Sequence, residues 1–243
     1  MMNEILLIGS LIFIYGMALL GYKLFGKTGL YCISAAATIL ANIEVLIMIK
    51  AFGAEQTLGN VLFAVTFLIT DILSECEGKK AADKAVYTSF FASIFFLVLS
   101  QSWLHYVPSE SDWASPAIRT IFSNTPRMII ASLAVYGISQ LFDVWLYHKI
   151  WDMTSKKSGN RRPFLWLRNN GSTLVSQLIN TFLFTLFAFY GTYGLSQIIS
   201  IFISSYVIYI FTSLLDTPVV YLARRVSDKS CLLYTSPSPR DLN

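Results

Sequence analysis

Long apolar segments separated by charged clusters constrain this chain more than any other feature. Seven such segments occur, at about 4–22, 29–52, 57–75, 81–107, 125–151, 170–190 and 195–222. Each reaches the roughly 17 residues that a helix needs to cross the hydrocarbon core of a bilayer. Only 13% of the residues are charged, against about a quarter in soluble domains. The pattern predicts an all-α, polytopic membrane helix bundle that forms a single transmembrane domain over residues 1–229.

Positive charge divides unevenly between the two sets of predicted loops. The loops after spans one, three, five and seven hold fourteen Lys and Arg residues, namely Lys23, Lys27, Lys79, Lys80, Lys84, Lys149, Lys156, Lys157, Arg161, Arg162, Arg168, Arg224, Arg225 and Lys229. The opposite loops hold only Lys50, Arg119 and Arg127. Because cytoplasmic loops are enriched in Lys and Arg, we expect the N-terminus outside and the C-terminus in the cytoplasm of a bacterial inner membrane. The first span lacks a basic leader and a cleavage site, which indicates a retained helix rather than a signal peptide.

The last segment of the chain differs from everything before it. Residues 231–241, with the sequence CLLYTSPSPRD, resemble the translation of a transposon sequencing adapter. Residues 230–243 are therefore interpreted as a non-native tail and are left out of the predicted fold. The alternative is a genuine disordered tail rich in Ser and Pro.

Two carboxylates lie at the end of predicted span three. A charged side chain at a helix centre costs about 2.5–3.5 kcal/mol on insertion, so such a residue persists where it meets a partner, a cavity or a ligand. Asp71 and Glu75 are four residues apart and share one helix face. They are expected to bind a cation or ligand, to share a proton or to meet an Arg from another helix. The alternative is a charged helix end that reaches water.

Spans five and six carry further polar groups. Gln140 and Asp143 are three residues apart and share one helix face, with a structural pair of Asp143 with Arg168 or with a backbone amide as the alternative. A polar stripe runs along span six and comprises Asn170, Ser172, Ser176, Gln177 and Asn180. Small hydroxyl residues also allow helices to pack closely, but close packing does not account for the two long amides of this stripe.

Spans two and seven complete the polar set with Asn42 and Asp216, whereas span one contributes no polar group. This distribution predicts a six-helix core around a cavity, with span one as an extra N-terminal helix at the periphery. Carboxylates, amides, hydroxyls and aromatic rings together suit a flat heterocycle with several donors and acceptors.

Several classes of function are not supported by the residues. Cys32, Cys76 and Cys231 form no CxxC pair, and His105 and His148 are isolated, so no metal site or other cofactor is expected. The chain has no HExxH, GxSxG or P-loop motif, which argues against an enzyme and against a self-contained ATP-driven pump. The net charge of +4 lies in loops beside the spans, so nucleic acid is not an expected partner.

Four stretches in register resemble the queuosine precursor transporter family, also called the vitamin uptake transporter family. They are TDILSECEG from Thr70, SQLFDVWLYHK from Ser139, LWLRNNGSTLVSQLINT from Leu165 and LLDTPVVY from Leu214. Their order and separations are similar to the family over about residues 30–225. The resemblance implies a six-helix core that imports 7-deazaguanine precursors of the tRNA nucleoside queuosine, such as 7-cyano-7-deazaguanine, for queuosine salvage.

The resemblance also implies roles for individual residues. Those expected to bind the substrate are Asn42, Gln140, Asp143, Asn170, Ser172, Ser176, Gln177 and Asn180. Those expected to couple protons or form ion pairs are Asp71, Glu75, Arg168 and Asp216. Asn180 stands where many members have Asp, which leaves the choice of precursor open. A substrate-binding membrane subunit of an ATP-driven uptake system for a vitamin or purine analogue is the alternative function, and a homodimer is one option for the oligomeric state.

Overall fold

The computed structural model describes residues 2–123, 126–158 and 163–235, without the side chains of residues 54, 126–129, 157–158 and 229–235. Its elements are α1 (Met2–Glu44), β1 (Met48–Ala51), β2 (Ala54–Thr57), α2 (Asn60–Cys76), α3 (Lys79–Trp103), α4 (Ser115–Ser123), α5 (Pro126–Ser158), α6 (Leu165–Phe189) and α7 (Leu195–Thr235). The predicted all-α bundle is confirmed, and α1, α3, α5, α6 and α7 are each long and apolar enough to cross a membrane. The proposed tail beyond residue 235, and the side chains of Arg127, Lys157, Arg161, Arg162 and Lys229, lie outside the described residues.

Helix α1 consists of two arms that double back at Gly26, which has φ 59° and ψ −147°. A straight helix of its 43 residues would be about 65 Å long. Its start nevertheless meets the segment just beyond its end, because Asn3 Nδ2 donates to the Lys50 carbonyl oxygen at 2.9 Å. The arms, which correspond to predicted spans one and two, approach closely beside the turn: a Cβ on Gly29 would lie 2.3 Å from the Gly21 carbonyl oxygen.

A short β-hairpin replaces the last third of predicted span two. The helix ends at Glu44, and β1 pairs antiparallel with β2 so that Lys50 faces Glu55. Phe52 and Gly53 form the turn and both have positive φ, as the two-residue turns of β-hairpins require. The predicted continuation of the helix to residue 52 is therefore wrong, because a short apolar run has no period that separates strand from helix.

Helix α2 lies at the centre of the bundle. Every residue from Asn60 to Ser74 is buried, and the helix packs against α1, α3, α5 and α7. A helix of 17 residues spans about 25 Å. A polar group along most of its length is therefore shielded from solvent and must find its partner within α2 or on a neighbouring helix, so α2 can position a buried site.

Several basic residues gather at one end of the bundle, which we call the basic end. The turn of α1 reaches the end of α2 there, since Tyr22 donates to Glu77 Oε1 at 2.9 Å and Lys27 lies 3.9 Å from Glu77 Oε2. Arg224 of α7 lies 3.3 Å from Glu75 at the same end. The hairpin lies at the opposite end of α2. The loops after predicted spans one, three and seven thus share one side of the bundle.

The first arm of α1 packs through a single face and presents its other side outward. Its buried residues lie along one helix face, with steps of three or four positions, and are Leu7, Leu11, Tyr15, Ala18, Gly21 and Tyr22. This position matches the expected extra helix. The expectation that it brings no polar group is wrong, because the Tyr15 hydroxyl is buried beside Asp216 and Tyr22 binds Glu77.

Candidate functional site

A dense ionic network surrounds Glu75 at the basic end. Arg168 grips the carboxylate with two nitrogens: Nε lies 2.9 Å from Oε2, and Nη2 lies 2.7 Å from both oxygens. Tyr147 adds a hydroxyl donor at 2.8 Å, and Arg224 approaches Oε1 at 3.3 Å. A carboxylate held in this bidentate way has its charge balanced and its lone pairs occupied.

Arg168 is held in place by further contacts besides Glu75. The residue is fully buried. It lies one turn inside α6, because the helix begins at Leu165 rather than at the predicted Asn170. Its Nη1 donates to the Pro163 carbonyl oxygen at 2.9 Å, and its guanidinium lies 4.3 Å from the centre of the Trp151 ring. We call Glu75, Arg168, Tyr147 and Arg224 the ionic network; it connects α2, α5, α6 and α7.

A second acidic site lies one helical turn deeper along α2. Asp71 and Asp143 are both fully buried, and their carboxyl groups lie within hydrogen-bonding reach of each other. Thr173 donates to Asp71 Oδ2 at 2.9 Å, and Ser176 donates to Asp143 Oδ1 at 2.8 Å. Asp71 Oδ1 and Asp143 Oδ2 have no donor from the described residues.

Asp216 of α7 is the third acidic group in this region. It is also buried, it interacts electrostatically with Asp71 and Asp143, and its Oδ1 has no donor among the described groups. Within the described part of the chain, no Lys or Arg forms an ion pair with any of the three carboxyl groups. We call Asp71, Asp143 and Asp216 the aspartate cluster. The structure brings them together although 145 positions separate the first from the last.

Ser172 and Gln177 lie on the same buried side of α6 as Ser176. Ser172 is within interaction distance of Asp143. Gln177 is buried, and its amide oxygen has no donor in the described structure. Ser172 and Ser176 thus place two hydroxyls beside the aspartate cluster, and Gln177 adds a buried acceptor on the same side of α6.

Gln140, which the sequence places among the substrate-binding residues, is engaged by α2 in this structure. Its Nε2 donates to Thr66 Oγ1 at 2.7 Å, and its Oε1 accepts from Thr70 Oγ1 at 3.1 Å. The amide therefore fastens α5 to α2. Both threonine hydroxyls also donate to carbonyl oxygens of their own helix, as Thr residues in helices often do.

Asn180 lies toward the hairpin end of the bundle, beside a small cavity. The cavity measures about 10 Å³ and is lined by Thr57, Asn60, Asn180, Thr181, Phe184, Thr185, Phe189, Ile201, Ser205 and Tyr209. Asn60 organises this region, because it donates to Ser205 at 3.1 Å and accepts from Tyr209 at 3.2 Å. A space of this size holds about one water molecule.

Two predicted residues point elsewhere. Asn42 donates to the Thr38 carbonyl oxygen of its own helix at 2.8 Å. Asn170 is partly buried and faces α7, where its Nδ2 donates to Thr217 at 2.7 Å and its Oδ1 accepts from Ser213 at 3.2 Å. The Asn170 contacts fasten α6 to α7, and the Asn42 contact stays within α1, so neither extends the aspartate cluster.

Sequence reasoning missed several polar groups that the structure places in the interior: Tyr15, Asn60, Thr66, Thr70, Asn169 and Tyr209. The spacing of four between Thr66 and Thr70 was the available signal, since it puts both hydroxyls on one face. Tyr15 and Tyr209 could not be distinguished, from the sequence, from ordinary aromatic residues of a membrane helix. No group of three or more His, Cys, Asp or Glu residues in the described ranges is arranged to hold a metal ion.

Comparison with known proteins identifies the family of this chain. The family model described as "Putative vitamin uptake transporter" matches residues 57–223, which include all three residues of the aspartate cluster and Glu75 and Arg168 of the ionic network. A protein of Bacillus subtilis (strain 168), named "Probable queuosine precursor transporter", is 40% identical over 213 residues, which cover 86% of this chain and 89% of that protein. No solved structure matches the chain. This multi-pass membrane protein therefore belongs to the vitamin uptake transporter family, whose members are transporters and not enzymes.

Proposed function

We propose that this protein imports a queuosine precursor, 7-cyano-7-deazaguanine or a related 7-deazaguanine base, across the bacterial inner membrane for tRNA queuosine salvage. The name of the Bacillus subtilis relative supports this class of cargo. The observation that carries the proposal is a set of buried polar atoms with unused hydrogen-bonding capacity, namely Asp71 Oδ1, Asp143 Oδ2, Gln177 Oε1 and Asp216 Oδ1. Buried polar atoms are costly unless a partner satisfies them.

The chemistry of these atoms complements a guanine-like base. All four atoms are acceptors when the carboxyl groups are ionised. A guanine-like edge offers donors from its amino group and ring N–H beside a carbonyl acceptor. In the proposed pose, Asp143 accepts the two donors of that edge while the amides of Gln177 and Asn180 contact the remaining polar atoms. Gln140 joins them only after it releases Thr66 and Thr70.

Binding of a base requires the helices to move. The cavity beside Asn180 holds about one water molecule at 10 Å³, far less than a bicyclic ring needs. Transporters commonly open one side of a central site by rocking helices against each other. We propose that α6 and α7 separate from α2 at the hairpin end to admit the cargo, which places that end outside and the basic end in the cytoplasm, as the distribution of Lys and Arg favours.

The test is restoration of queuosine in the tRNA of a bacterium that lacks both precursor synthesis and its own importer, fed a low concentration of 7-cyano-7-deazaguanine. We expect the wild-type protein to restore queuosine and Asp143→Asn to abolish the restoration at equal abundance in the membrane. Asp83→Asn, which alters an exposed pair with Lys79, is the matched control and should restore it fully. Failure of a well-inserted wild-type protein would reject the cargo, and full activity of Asp143→Asn would reject the site.

The alternative function, a capture subunit of an ATP-driven system, is separated by a second assay. Purified protein in liposomes that already contain unlabelled base should exchange it for labelled base without ATP. Exchange by the purified chain excludes the need for an energising partner. Activity that appears only with a partner ATPase would replace our proposal with the alternative.

A further inference from the structure

We propose that Asp71 and Asp143 form a proton-binding site and that each imported base is accompanied by one proton. This inference rests on the proposed import function and names its energy source. The two side chains come from α2 and α5 and meet in the buried centre of the bundle. The ligand of the site is H⁺, held between two carboxyl groups.

Hydrogen-bond accounting supports a shared proton. Thr173 and Ser176 satisfy one oxygen of each carboxyl group, at 2.9 Å and 2.8 Å. The remaining oxygens, Asp71 Oδ1 and Asp143 Oδ2, have no donor from the described residues although the two groups contact each other. An ionised carboxylate is only an acceptor, whereas a protonated one supplies an O–H. One proton on the pair provides the donor that both free oxygens lack.

An independent observation comes from the first arm of α1. Tyr15 is only 5% exposed, and its buried hydroxyl has no hydrogen-bond partner of standard geometry among the described residues. It lies beside Asp216 and senses the charge of Asp71. An unpartnered hydroxyl directed at the acidic groups supplies a further donor when a carboxyl group loses its proton.

The titratable and charged groups that face the pair come from several of the helices packed against it. Helix α7 contributes Asp216, α1 contributes Tyr15, and α5 contributes Tyr147 one turn from Asp143. Arg168 of α6 is nearby but is occupied by Glu75 of α2. The buried residues of α3 are Ala, Val and Ser. The pair therefore faces another carboxyl group rather than a free cation, and like charges at close range favour retention of a proton.

A coupling mechanism follows from the balance of charge. With one proton, the pair carries a single negative charge; without it, two adjacent negative charges would have to remain in the membrane core. When the base binds, its N–H groups donate to Asp143 in place of the shared proton, which stays on Asp71. On release, the base leaves Asp143 and the O–H bond of Asp71 breaks, delivering the proton to water on the cytoplasmic side. The empty bundle then returns to face outside, with the Tyr15 hydroxyl available as a donor to the acidic groups, and Asp71 binds the next proton there.

The decisive measurement uses wild-type protein in liposomes that contain a pH-sensitive dye, with the membrane potential clamped at zero. Addition of 7-cyano-7-deazaguanine outside should acidify the lumen, and an inward gradient of about one pH unit should accumulate the base about tenfold if one proton accompanies it. Exchange of labelled base without acidification or accumulation would overturn the inference and leave the import function intact. Absence of exchange as well would reject the import function itself. Accumulation that follows a Na⁺ gradient instead of the pH gradient would also overturn the inference.

A variant assigns the response to the pair. Asp71→Asn should lose both the acidification and the accumulation driven by the pH gradient, whereas Asp83→Asn should show both at wild-type size. Accumulation by Asp71→Asn in response to the pH gradient would remove Asp71 from the site. Size-exclusion chromatography of both variants checks that they are folded, and the wild-type dye measurement decides the inference if Asp71→Asn is not.

Discussion

Two buried acidic residues on one face of α2 have opposite surroundings. Glu75 is held by Arg168 through two nitrogens, by the Tyr147 hydroxyl and by Arg224. Asp71, one turn away, has a single donor from Thr173 and a second carboxyl group at its other side. The Glu75 side chain is only 2% exposed and Asp71 is fully buried, so burial does little to distinguish them. The difference lies in the partners that other helices provide.

This contrast indicates what each carboxyl group does. A buried ion pair with complete hydrogen bonding is retained because removal of one partner leaves an uncompensated charge. Such a network suits a fixed point where four helices meet. Polar groups that stay unsatisfied inside a membrane are costly and mark ligand or ion pathways. We therefore propose that the ionic network stabilises the fold at the basic end and that the aspartate cluster serves binding and transport.

The strongest way to break the contrast is to remove the arginine. Arg168→Met leaves Glu75 buried with Arg224 as its remaining cation, and we expect a loss of about 3–5 kcal/mol in stability. The protein should be scarce in the membrane and should lose its monodisperse peak in detergent at a lower temperature. The double variant Glu75→Gln/Arg168→Met removes both charges and should recover much of the stability. A single variant as stable as the wild type would show that the network is not a structural anchor.

The reverse result is expected in the aspartate cluster. Asp143→Asn keeps an oxygen that accepts from Ser176 and places an amide donor beside the free oxygen of Asp71. Its thermal stability in detergent should equal or exceed that of the wild type, while uptake is abolished. A loss of stability as large as that of Arg168→Met would mean that the aspartate cluster and the ionic network have the same structural role.

An intermediate effect should follow from loss of a single hydrogen bond in the ionic network. Tyr147→Phe removes the hydroxyl that donates to Glu75 at 2.8 Å but leaves both arginines in place. Hydrogen bonds to charged groups contribute about 1.5–3 kcal/mol, and the remaining arginines should keep the loss near the lower end. Thermal unfolding followed by light scattering measures it. Comparison with Tyr136→Phe, a buried tyrosine of the same helix whose hydroxyl has no partner of standard geometry in the described structure, separates the hydrogen bond from the removal of a hydroxyl.

The fold class was predictable because long apolar runs have few solutions in a bilayer. The doubling back of α1 was also readable, since Lys23, Gly26 and Lys27 interrupt two apolar runs. The hairpin at 48–57 was not, because strands of four residues leave no distinct hydrophobic period. Boundaries that depend on partners, such as the early start of α6, equally escape a reading of local pattern.

For the candidate site, the sequence supplied the residues but not their pairing. Asp143 and Glu75 were both plausible partners of Arg168, and Glu75 lies 93 positions away from it. Only the arrangement of α2 against α6 decides between them. The arrangement of α5 against α2 likewise engages Gln140 with two threonines of α2, which no spacing along α5 indicates. Tyr15 was missed because an aromatic residue in a membrane helix is normally read as packing against lipid.

The smallest effect should come from an acidic residue outside both clusters. Asp83 pairs with Lys79 across one turn of α3 at 2.6 Å, and both side chains are partly open to solvent. Exposed pairs of this kind contribute about 0.3–0.5 kcal/mol because water and salt screen them. Asp83→Asn should therefore leave uptake and thermal stability within the error of measurement, and raising the salt concentration should not separate it from the wild type. A clear loss of uptake in this variant would show that transport depends on negative charge at the basic end in general. Uptake would then not depend specifically on the aspartate cluster.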